Sequence, residues 1–469
     1  MTNVGKTRLS DRLSALSDRR FKRVLYATAL GLYLFGVWLH LPYGGGNVYT
    51  SLTYLFQERV CQILPPAEYG PLIAPCRFTI PYLQSFSEYP VLTSMFFYSM
   101  GRLAELLPGE LLRNTYLVSS AVLAVPTFLS LRELIRLTEI RGSSRVRMFW
   151  YFIVTPTFVI MTLLNWYIIG LYFTLWAIRV YLGGGSRLWA GVLFGISAAT
   201  NFVSAVPAVG LVFAERSKKE MVVLAAAAGG TYGLINAPFL ILNSGLWFQS
   251  WQYLYSWNIE DSWMGAILLN PYSPYRHAVP LVVFSAFLAG MLWMRLRKTT
   301  SDPLVFAFVA MFGYVFATYI SPPQLSLLLL PFFVLLPVSD GYWEFLCFDT
   351  LNTLIIILGV SEVLMPFGIS YYGLFHQAST VVSPYLVQTS SVQTDNVPTS
   401  LVFWIGVVRS LWEAKFILWN RIPGSLSITS LRKGKGTKSA EPTGEGAAVA
   451  PKAITNDASL REGAVESDS

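Results

Sequence analysis

Long apolar stretches separated by short polar or basic segments follow one another from about residue 24 to residue 420. Most of them approach the ~20 residues that an α-helix needs to cross a bilayer. They predict an all-α polytopic membrane protein with about 11–12 transmembrane segments. In chain order the predicted segments are 24–41, 114–131, 148–164, 166–183, the short pair 188–200 and 203–214, then 220–242, 278–296, 303–320, 323–338, 344–366 and 400–418.

Basic residues give these segments a predicted orientation, because the cytoplasmic loops of membrane proteins are enriched in Lys and Arg. Seven Lys and Arg residues lie within 1–23, and further basic groups occupy 132–147, 215–220 and 295–298. If successive segments cross the membrane in opposite directions, all of these basic regions fall on the cytoplasmic side. The same holds for 421–469, a polar stretch without apolar periodicity that predicts a disordered tail.

Two long segments fall on the outer side of the predicted transmembrane domain, 24–420. The first external loop is 42–113 and the second is 243–277. The apolar stretch 91–107 within the first loop is predicted to lie in the outer interface. If it crossed the membrane, the basic loop 132–147 would be external, against the positive-inside rule.

The pair 188–200 and 203–214 is too short for two ordinary spans. It predicts a broken helical pair that turns near Asn201, and interrupted segments are tolerated where they line a protein cavity. Polar groups at 165–167 and 321–324 are also expected on the outer side. Together these groups indicate a cavity at the outer membrane face. The alternative is that the polar residues only mark loops.

The composition fits a membrane protein better than a soluble one. Hydrophobic residues make up 54% of the chain and charged residues 13%, with a mean hydropathy of +0.50, whereas soluble domains carry about 25% charged residues. The net charge of +8 comes from short loops and tails, so no nucleic-acid partner is expected. His40, His277 and His376 lie far apart without the spacing of metal ligands, and no metal or other cofactor is predicted.

The three cysteines are Cys61 and Cys76, in the same predicted external loop, and Cys347, in an apolar segment. Two alternatives fit the first pair, a disulfide or two free thiols. The spacing alone does not decide between them, because it gives neither the compartment nor the geometry.

Three carboxylates on the outer side are candidates for chemistry. Glu88 precedes the apolar stretch 91–107, where it fits either a helix cap or a catalytic group. Glu260 and Asp261 are adjacent within the aromatic-rich segment 243–277. Neighbouring carboxylates at an apolar boundary indicate a partner or a function, and a solvated loop tip is the alternative.

Five motifs, in order, resemble those of the polyprenol-phosphate-mannose-dependent transferases of actinobacteria and their relatives. Their order and spacing agree from about residue 40 to residue 340. The chain is similar, more distantly, to the first mannosyltransferase of GPI-anchor synthesis. The motifs are "SEYPVLTSMFFY" (87–98), "NWY" (165–167), "GISAATNFVSAVP" (195–207), "INAPFLILNSGLWFQSWQYLYSWNIEDSWMGAIL" (235–268) and "ISPPQLSLLLLPF" (320–332).

The resemblance implies the GT-C fold and transfer of a sugar, mannose in the family, from a polyprenyl-phosphate donor to a lipid or glycan acceptor. The reaction would occur at the external face, in contact with membrane lipids. The expected location is the plasma membrane, or the endoplasmic reticulum in a eukaryote. The substrate-binding residues that the resemblance implies are Tyr49, Ser51, Tyr89, Asn165, Trp166, Asn201, Glu260, Trp263 and Gln324. Arg276 is a further predicted substrate-binding residue, because it is an external arginine that could contact the donor phosphate.

The chain departs from the family where the chemistry is expected. Ser51 and Thr53 occupy the acidic positions of the first external loop. Tyr167 replaces the aspartate of the family's "NWD", and Asn201 replaces a basic residue. A neutral hydroxyl cannot take a proton at neutral pH without a base of its own.

Other carboxylates are therefore candidates for the general base. Glu88 is the first, because the resemblance puts it on the same loop. Glu58 is the second, since it lies about two helical turns after Ser51, and Asp261 is the third. The leaving lipid phosphate needs positive or hydrogen-bonding groups, and the external candidates are Arg59, Arg77 and Arg276.

The sequence leaves three functions open. The first is a membrane glycosyltransferase. The second is a catalytically degenerate GT-C homologue that acts as a partner subunit or lipid-glycan binder, which the missing aspartates favour. The third is a lipid or sugar transporter, for which Asp349 and Glu362, in one apolar segment, would be the functional residues.

Overall fold

The computed structural model describes residues 13–42, 45, 46, 48, 50–63, 76–270, 272–364 and 401–426. Helices dominate this part of the chain. In order they are α1 (Asp18–His40), α2 (Ser51–Leu55), α3 (Val91–Ala104), α4 (Leu111–Arg141), α5 (Arg145–Met148), α6 (Pro156–Leu164), α7 (Tyr167–Leu182), α8 (Arg187–Thr200), α9 (Pro207–Ala214), α10 (Lys218–Leu242), α11 (Ser244–Ser256), α12 (Met264–Leu268), α13 (Ala278–Arg297), α14 (Pro303–Ala317), α15 (Ser326–Leu335), α16 (Tyr342–Leu364) and α17 (Leu401–Leu418).

Shorter elements join these helices. π-helical turns cover Phe56–Val60 and Phe149–Ile153, and 3₁₀ turns cover Phe202–Ala205, Pro274–Arg276 and Pro323–Leu325. Strands β1 (Cys61–Ile63) and β2 (Cys76–Phe78) form a small antiparallel hairpin.

Within the described ranges, three helical stretches are long and apolar enough to cross a membrane: α4, α10 and Pro274–Arg297, which contains α13. Arg145–Ile153 and Pro156–Leu164, bent by 58°, would make a fourth if they form one span. Five further apolar helical stretches within these ranges, α14 among them, have only 10–17 residues. The 15 residues of α14 extend about 22 Å, less than the ~30 Å hydrocarbon core. The described part of the chain is therefore mostly helical, with three or four candidate spans, and the count of 11–12 stays a prediction.

The break predicted between α8 and α9 is present. Asn201 ends α8 in an extended conformation, and its Oδ1 accepts a hydrogen bond from Val203 N at 2.9 Å. Across the break, the hydroxyls of Ser197 and Ser204 lie 2.7 Å apart. Thr174 of α7 bonds to the Ser197 hydroxyl at 2.9 Å and to the Ser204 carbonyl at 2.5 Å. Small polar side chains therefore fasten the turn to α7.

The segment 243–277, predicted as a loop, contains the 13-residue helix α11 and the short helix α12. Asn243 begins α11 by accepting a hydrogen bond from Leu246 N at 3.2 Å. At the other end, Arg276 Nε donates to the Trp257 carbonyl at 3.0 Å. These caps satisfy backbone groups that the helix leaves unpaired.

Helix α3 occupies most of the stretch predicted as interfacial. Its 14 residues extend about 21 Å, too short to cross the hydrocarbon core. The helix begins after Pro90 without a side-chain cap. Ser87 bonds instead to the Ser94 hydroxyl at 2.7 Å. The capping alternative for Glu88 is therefore wrong.

The hairpin resolves the question of the first two cysteines. Cys61 and Cys76 form a disulfide with Cα atoms 5.2 Å apart, within the usual range. Disulfides persist in oxidising compartments, which agrees with an external position for this loop.

Aromatic side chains form the centre of the helical core. Phe333 of α15 contacts Phe312 of α14, Phe345 of α16 and Phe416 of α17, with ring centroids 5.7, 4.8 and 5.1 Å away. By contrast, only 11% of the apolar window is buried in α10 and in Pro274–Arg297. Their apolar faces point outward, as in helices that contact lipid.

Candidate functional site

The start of the first predicted external loop is fastened to the end of α6. Thr50 caps α2, since its Oγ1 accepts from Leu52 N at 3.2 Å and donates to the Leu163 carbonyl at 2.8 Å. Ser51 and Thr53 follow on α2 with half-buried side chains. Neutral hydroxyls therefore occupy the turn for which the resemblance implies carboxylates.

Glu88 is buried and ion-paired. Its side chain is only 3% exposed, and its Oε2 accepts a hydrogen bond from Arg59 Nε at 2.5 Å. The Arg59 guanidinium lies 5.6 Å from the ring centroid of Phe86 and 6.0 Å from that of Tyr253. A predicted base and a predicted phosphate contact thus form one pair. Arg59 therefore occupies one of the two carboxylate oxygens of Glu88 in this structure.

Hydroxyl groups fix the loop that carries Glu88. The Tyr82 hydroxyl donates to the Tyr89 carbonyl, and Ser94 Oγ donates to the same carbonyl at 3.1 Å. Ser250 of α11 donates to the Ser87 carbonyl, so the second predicted external segment holds the first. Burial raises the pKa of Tyr82 to about 12, which keeps its hydroxyl protonated and able to donate.

Tyr89 links this loop to the "NWY" turn. Its ring meets Trp166 edge-on, with centroids 4.5 Å apart, and Trp166 also contacts Phe97 at 4.9 Å. Thr93 of α3 donates to the Thr200 carbonyl at 2.6 Å. The residues around Glu88, the "NWY" turn and the break after α8 therefore lie side by side.

Three buried N–H donors in this neighbourhood have no hydrogen-bond acceptor among the described residues: Asn165 Nδ2, Trp166 Nε1 and Asn201 Nδ2. None of the three residues is more than 5% exposed. The amide oxygens of both asparagines are used, because Asn165 accepts from Tyr167 N at 3.0 Å and Asn201 from Val203 N. A buried donor without an acceptor costs ~1–3 kcal/mol, so these donors suit a ligand that offers oxygen acceptors.

Tyr167 extends the cluster toward two other segments. Its phenol contacts the side chains of Asn201 and Gln324 and lies within electrostatic range of Glu260. The phenol approaches the Asn201 amide without a hydrogen bond of regular geometry. Where the resembled family has an aspartate, this chain therefore has a neutral group that contacts two predicted site residues and lies near a third.

Glu260 is half-buried and held on both sides. Its carboxylate accepts from Trp257 Nε1 at 3.0 Å. Its N–H donates to the Tyr319 carbonyl at 2.9 Å, and its carbonyl accepts from Ser321 N at 3.0 Å. Desolvation raises the pKa of the Glu260 carboxyl, although the Trp257 indole and the charge of Arg409 oppose the shift.

Aromatic rings connect the two carboxylates. Tyr253 contacts Phe86 with centroids 5.1 Å apart and Trp257 with centroids 5.2 Å apart. Because Arg59 lies over Tyr253 and Trp257 donates to Glu260, an unbroken series of contacts joins Glu88 to Glu260. The predicted site residues from four separate segments therefore share one region.

Asp261 and Trp263, both predicted site residues, make hydrogen bonds within the protein. Asp261 has a positive φ of 49°, and its carbonyl accepts from Arg409 Nη2 at 2.9 Å. The Trp263 ring stacks on Phe316 at 5.3 Å, and its indole donates to the Phe316 carbonyl at 2.7 Å. The indole N–H of Trp263 is therefore already used within the protein.

The other two predicted phosphate contacts have different surroundings: Arg276 is bonded to Trp257 of this region, and Arg77 lies on the hairpin. Arg276 donates to the Trp257 and Tyr272 carbonyls, both at 3.0 Å, so its guanidinium is occupied at the end of α11. Arg77 is exposed at the centre of β2. Tyr49 and the Glu58 side chain, also predicted for the site, lie outside the described residues.

Asp349, one of the two residues that a transporter would use, makes a hydrogen bond within the protein. Asp349 is buried in α16, and its Oδ2 accepts from Thr157 N at 3.1 Å. It therefore caps the first turn of α6 from a neighbouring helix. The Glu362 side chain lies outside the described residues.

Sequence reasoning missed Arg409, the largest side chain buried below 2% exposure. The available signal was the spacing of Arg409 and Glu413, four residues apart in an otherwise apolar stretch. Charges within such stretches are costly and are retained for pairing or function.

Comparisons of the chain with protein-family models, with curated proteins and with solved structures found no match.

Proposed function

We propose that this protein is a multi-pass membrane glycosyltransferase of the GT-C type. It moves a hexose, mannose by the resemblance, from a polyprenyl-phosphate donor to a lipid or glycan acceptor at the outer face. The observation that carries the proposal is the meeting of the Glu88 loop, the "NWY" turn, the break at Asn201 and Glu260 in one region. Each of these segments carries one of the family-like motifs.

The proposed chemistry uses the Arg59–Glu88 pair. The acceptor hydroxyl oxygen forms a bond to the anomeric carbon of the sugar, while the bond from that carbon to the phosphate oxygen breaks. Polyprenyl phosphate leaves with the electron pair, and the hydroxyl proton passes to Glu88. Arg59, drawn toward the donor phosphate, stabilises the charge on the leaving group and frees the carboxylate oxygen that it binds in this structure.

The uncharged donors of Asn165, Trp166 and Asn201 supply the rest of the substrate contacts. Hydrogen bonds from neutral donors to an anion are individually weaker than a charged contact, but three together can orient phosphate oxygens or sugar hydroxyls. Their unused N–H groups would find acceptors when the substrate binds.

The test is transfer of labelled mannose from polyprenyl-phosphate mannose to membrane lipids by purified protein. Glu88→Gln keeps the size and removes the basicity, so it should slow transfer about 10²–10⁴-fold. Glu105→Gln is the control, because Glu105 pairs with Arg102 in the same external region but is exposed. Undiminished transfer by Glu88→Gln would reject the base assignment, and Glu260→Gln, Glu58→Gln and Asp261→Asn would then be compared.

A second candidate function, a degenerate homologue that acts as a partner subunit or lipid-glycan binder, is favoured by two observations. Arg59 binds the Glu88 carboxylate, and the turn at Ser51 has no carboxylate. Ser51→Asp restores an acidic group there. Wild-type protein that binds the donor without transfer, together with transfer by Ser51→Asp, would select this second candidate.

A further inference from the structure

Arg409 of α17 joins two segments that lie far from it in the chain. It is 1% exposed, and its Nη2 donates to the Asp261 carbonyl at 2.9 Å and to both the carbonyl and the hydroxyl of Ser321 at 2.6 Å. Its Nη1 donates to Asn352 Oδ1 at 3.3 Å. Glu413, one turn later, lies 3.4 Å from its Nε.

The two segments that Arg409 reaches are already paired with each other. Glu260 and Ile320 form an isolated parallel bridge, made by the Glu260 N–H to Tyr319 and the Ser321 N–H to Glu260. Asp261 and Ser321 come directly after the bridged residues. Arg409 therefore closes the bridge at one end, with one guanidinium nitrogen bonded to both segments.

Helix α17 also packs closely against Asp261, at Gly406. A Cβ added to Gly406 would lie 3.0 Å from the Asp261 Cα and 3.2 Å from its carbonyl carbon. Asp261 holds a positive φ, a conformation that costs a non-glycine residue energy and persists only where its surroundings enforce it. The close packing of Gly406 against Asp261 and the hydrogen bond from Arg409 hold the Asp261 backbone in this conformation.

We propose that Arg409 is the positioning residue that holds Glu260 and the "SPPQ" turn in place for substrate. The proposal rests on the proposed function, since it assumes that Glu260 and Gln324 contact the sugar donor or acceptor. Arg409 itself does not touch substrate. Its planar guanidinium can bond several acceptors at fixed angles, which a lysine ammonium cannot do in the same way.

The first arm of the test measures the bridge directly and needs no activity. Hydrogen exchange of the Glu260 and Ser321 amides is followed by mass spectrometry on protein in detergent or nanodiscs. Arg409→Gln should raise exchange in the peptides around these amides roughly tenfold to a hundredfold, as expected for loss of hydrogen bonds to a charged group. Arg409→Lys, which keeps the charge, should restore part of the protection.

A matched control variant distinguishes a local effect at the bridge from a general loss of stability. Arg147 is half-buried and donates to the Phe333 and Leu336 carbonyls, both at 2.6 Å, at the end of α15. Arg147→Gln should leave exchange around Glu260 unchanged. Equal loss of protection throughout the molecule in both Arg409 variants would show a structural role alone and overturn the proposal.

The second arm uses steady-state transfer from polyprenyl-phosphate mannose. Arg409→Gln should raise KM and lower kcat together, and Arg409→Lys should recover part of both. Faster exchange at Glu260 with unchanged kinetics would reject the positioning role. If the wild type itself transfers no sugar, the proposed function fails; the exchange arm still reports whether Arg409 holds the bridge.

Discussion

At the residue scale, the candidate site is built from neutral donors where the resembled family has charges. Asn201 has a double role, because its oxygen caps the Val203 N–H while its amide nitrogen has no regular acceptor among the described residues. Asn201→Lys would add a positive charge but lose the cap. Asn201→Asp is the cleaner change, because it keeps the capping oxygen and converts only the amide nitrogen, in the group that the Tyr167 phenol approaches, into an acceptor with negative charge.

If the Asn201 amide contacts the donor phosphate, Asn201→Asp should raise the KM for polyprenyl-phosphate sugar about tenfold to a hundredfold, the usual range for losing a hydrogen bond to a charged group. The measurement is KM for transfer or Kd for the lipid donor. Asn420→Asp is the control, since Asn420 also caps a turn, through Ile422 N at 2.9 Å, at the far end of α17. An unchanged KM in Asn201→Asp would show that the segment is structural.

At the element scale, close helix contacts decide which glycines are needed. A Cβ on Gly210 of α9 would lie 2.6 Å from the Ala307 Cα and against the Phe306 carbonyl of α14. These are backbone atoms and cannot turn aside as a side chain can. A Cβ on Gly229 of α10 would meet nothing within 4 Å, so the two positions form a matched pair.

Gly210→Ala should therefore lower the free energy of unfolding by about 1–3 kcal/mol, the cost typical of overpacking. Gly229→Ala should be neutral or raise it by up to about 1 kcal/mol, because alanine favours helix. Thermal or denaturant unfolding of the purified protein in detergent measures both. Equal stability of the two variants would contradict the close approach of α9 to α14.

At the scale of the whole molecule, the orientation across the membrane can be tested with an impermeant thiol reagent. Cys347 is replaced by serine, while Cys61 and Cys76 are kept because their disulfide does not react. Leu106→Cys places a thiol at a position that is 78% exposed, after α3. It should react in intact cells, because 42–113 is predicted to be external.

Ser144→Cys is the companion variant, in the exposed turn before α5. It should react only after the membrane is permeabilised, because it lies in the basic loop predicted to be cytoplasmic. The reverse pattern would place the Glu88 loop on the cytoplasmic side and remove the basis for an external donor site. Labelling of both positions in intact cells would show that α4 does not cross.

The sequence by itself determined the features that depend on local composition and spacing. Apolar stretches predicted an all-α chain, and the short pair around Asn201 predicted a helix break, because a helix needs a minimum length to cross. The break is present at the predicted residue. Local signals were weaker for 243–277, where α11 depends on caps from Asn243 and from Arg276, at opposite ends of the segment.

Only the tertiary structure decided which groups the charged side chains meet. Glu88 pairs with Arg59, 29 residues away, and Arg409 donates to the backbone carbonyl of Asp261, 148 residues away. Such pairs have no local pattern, because each is set by how helices distant in sequence come together. The desolvation of Glu260 also depends on the tertiary structure, because it is set by the residues that pack around the carboxyl. The sequence could propose the carboxylates, but their partners and their accessibility come from the arrangement of the whole chain.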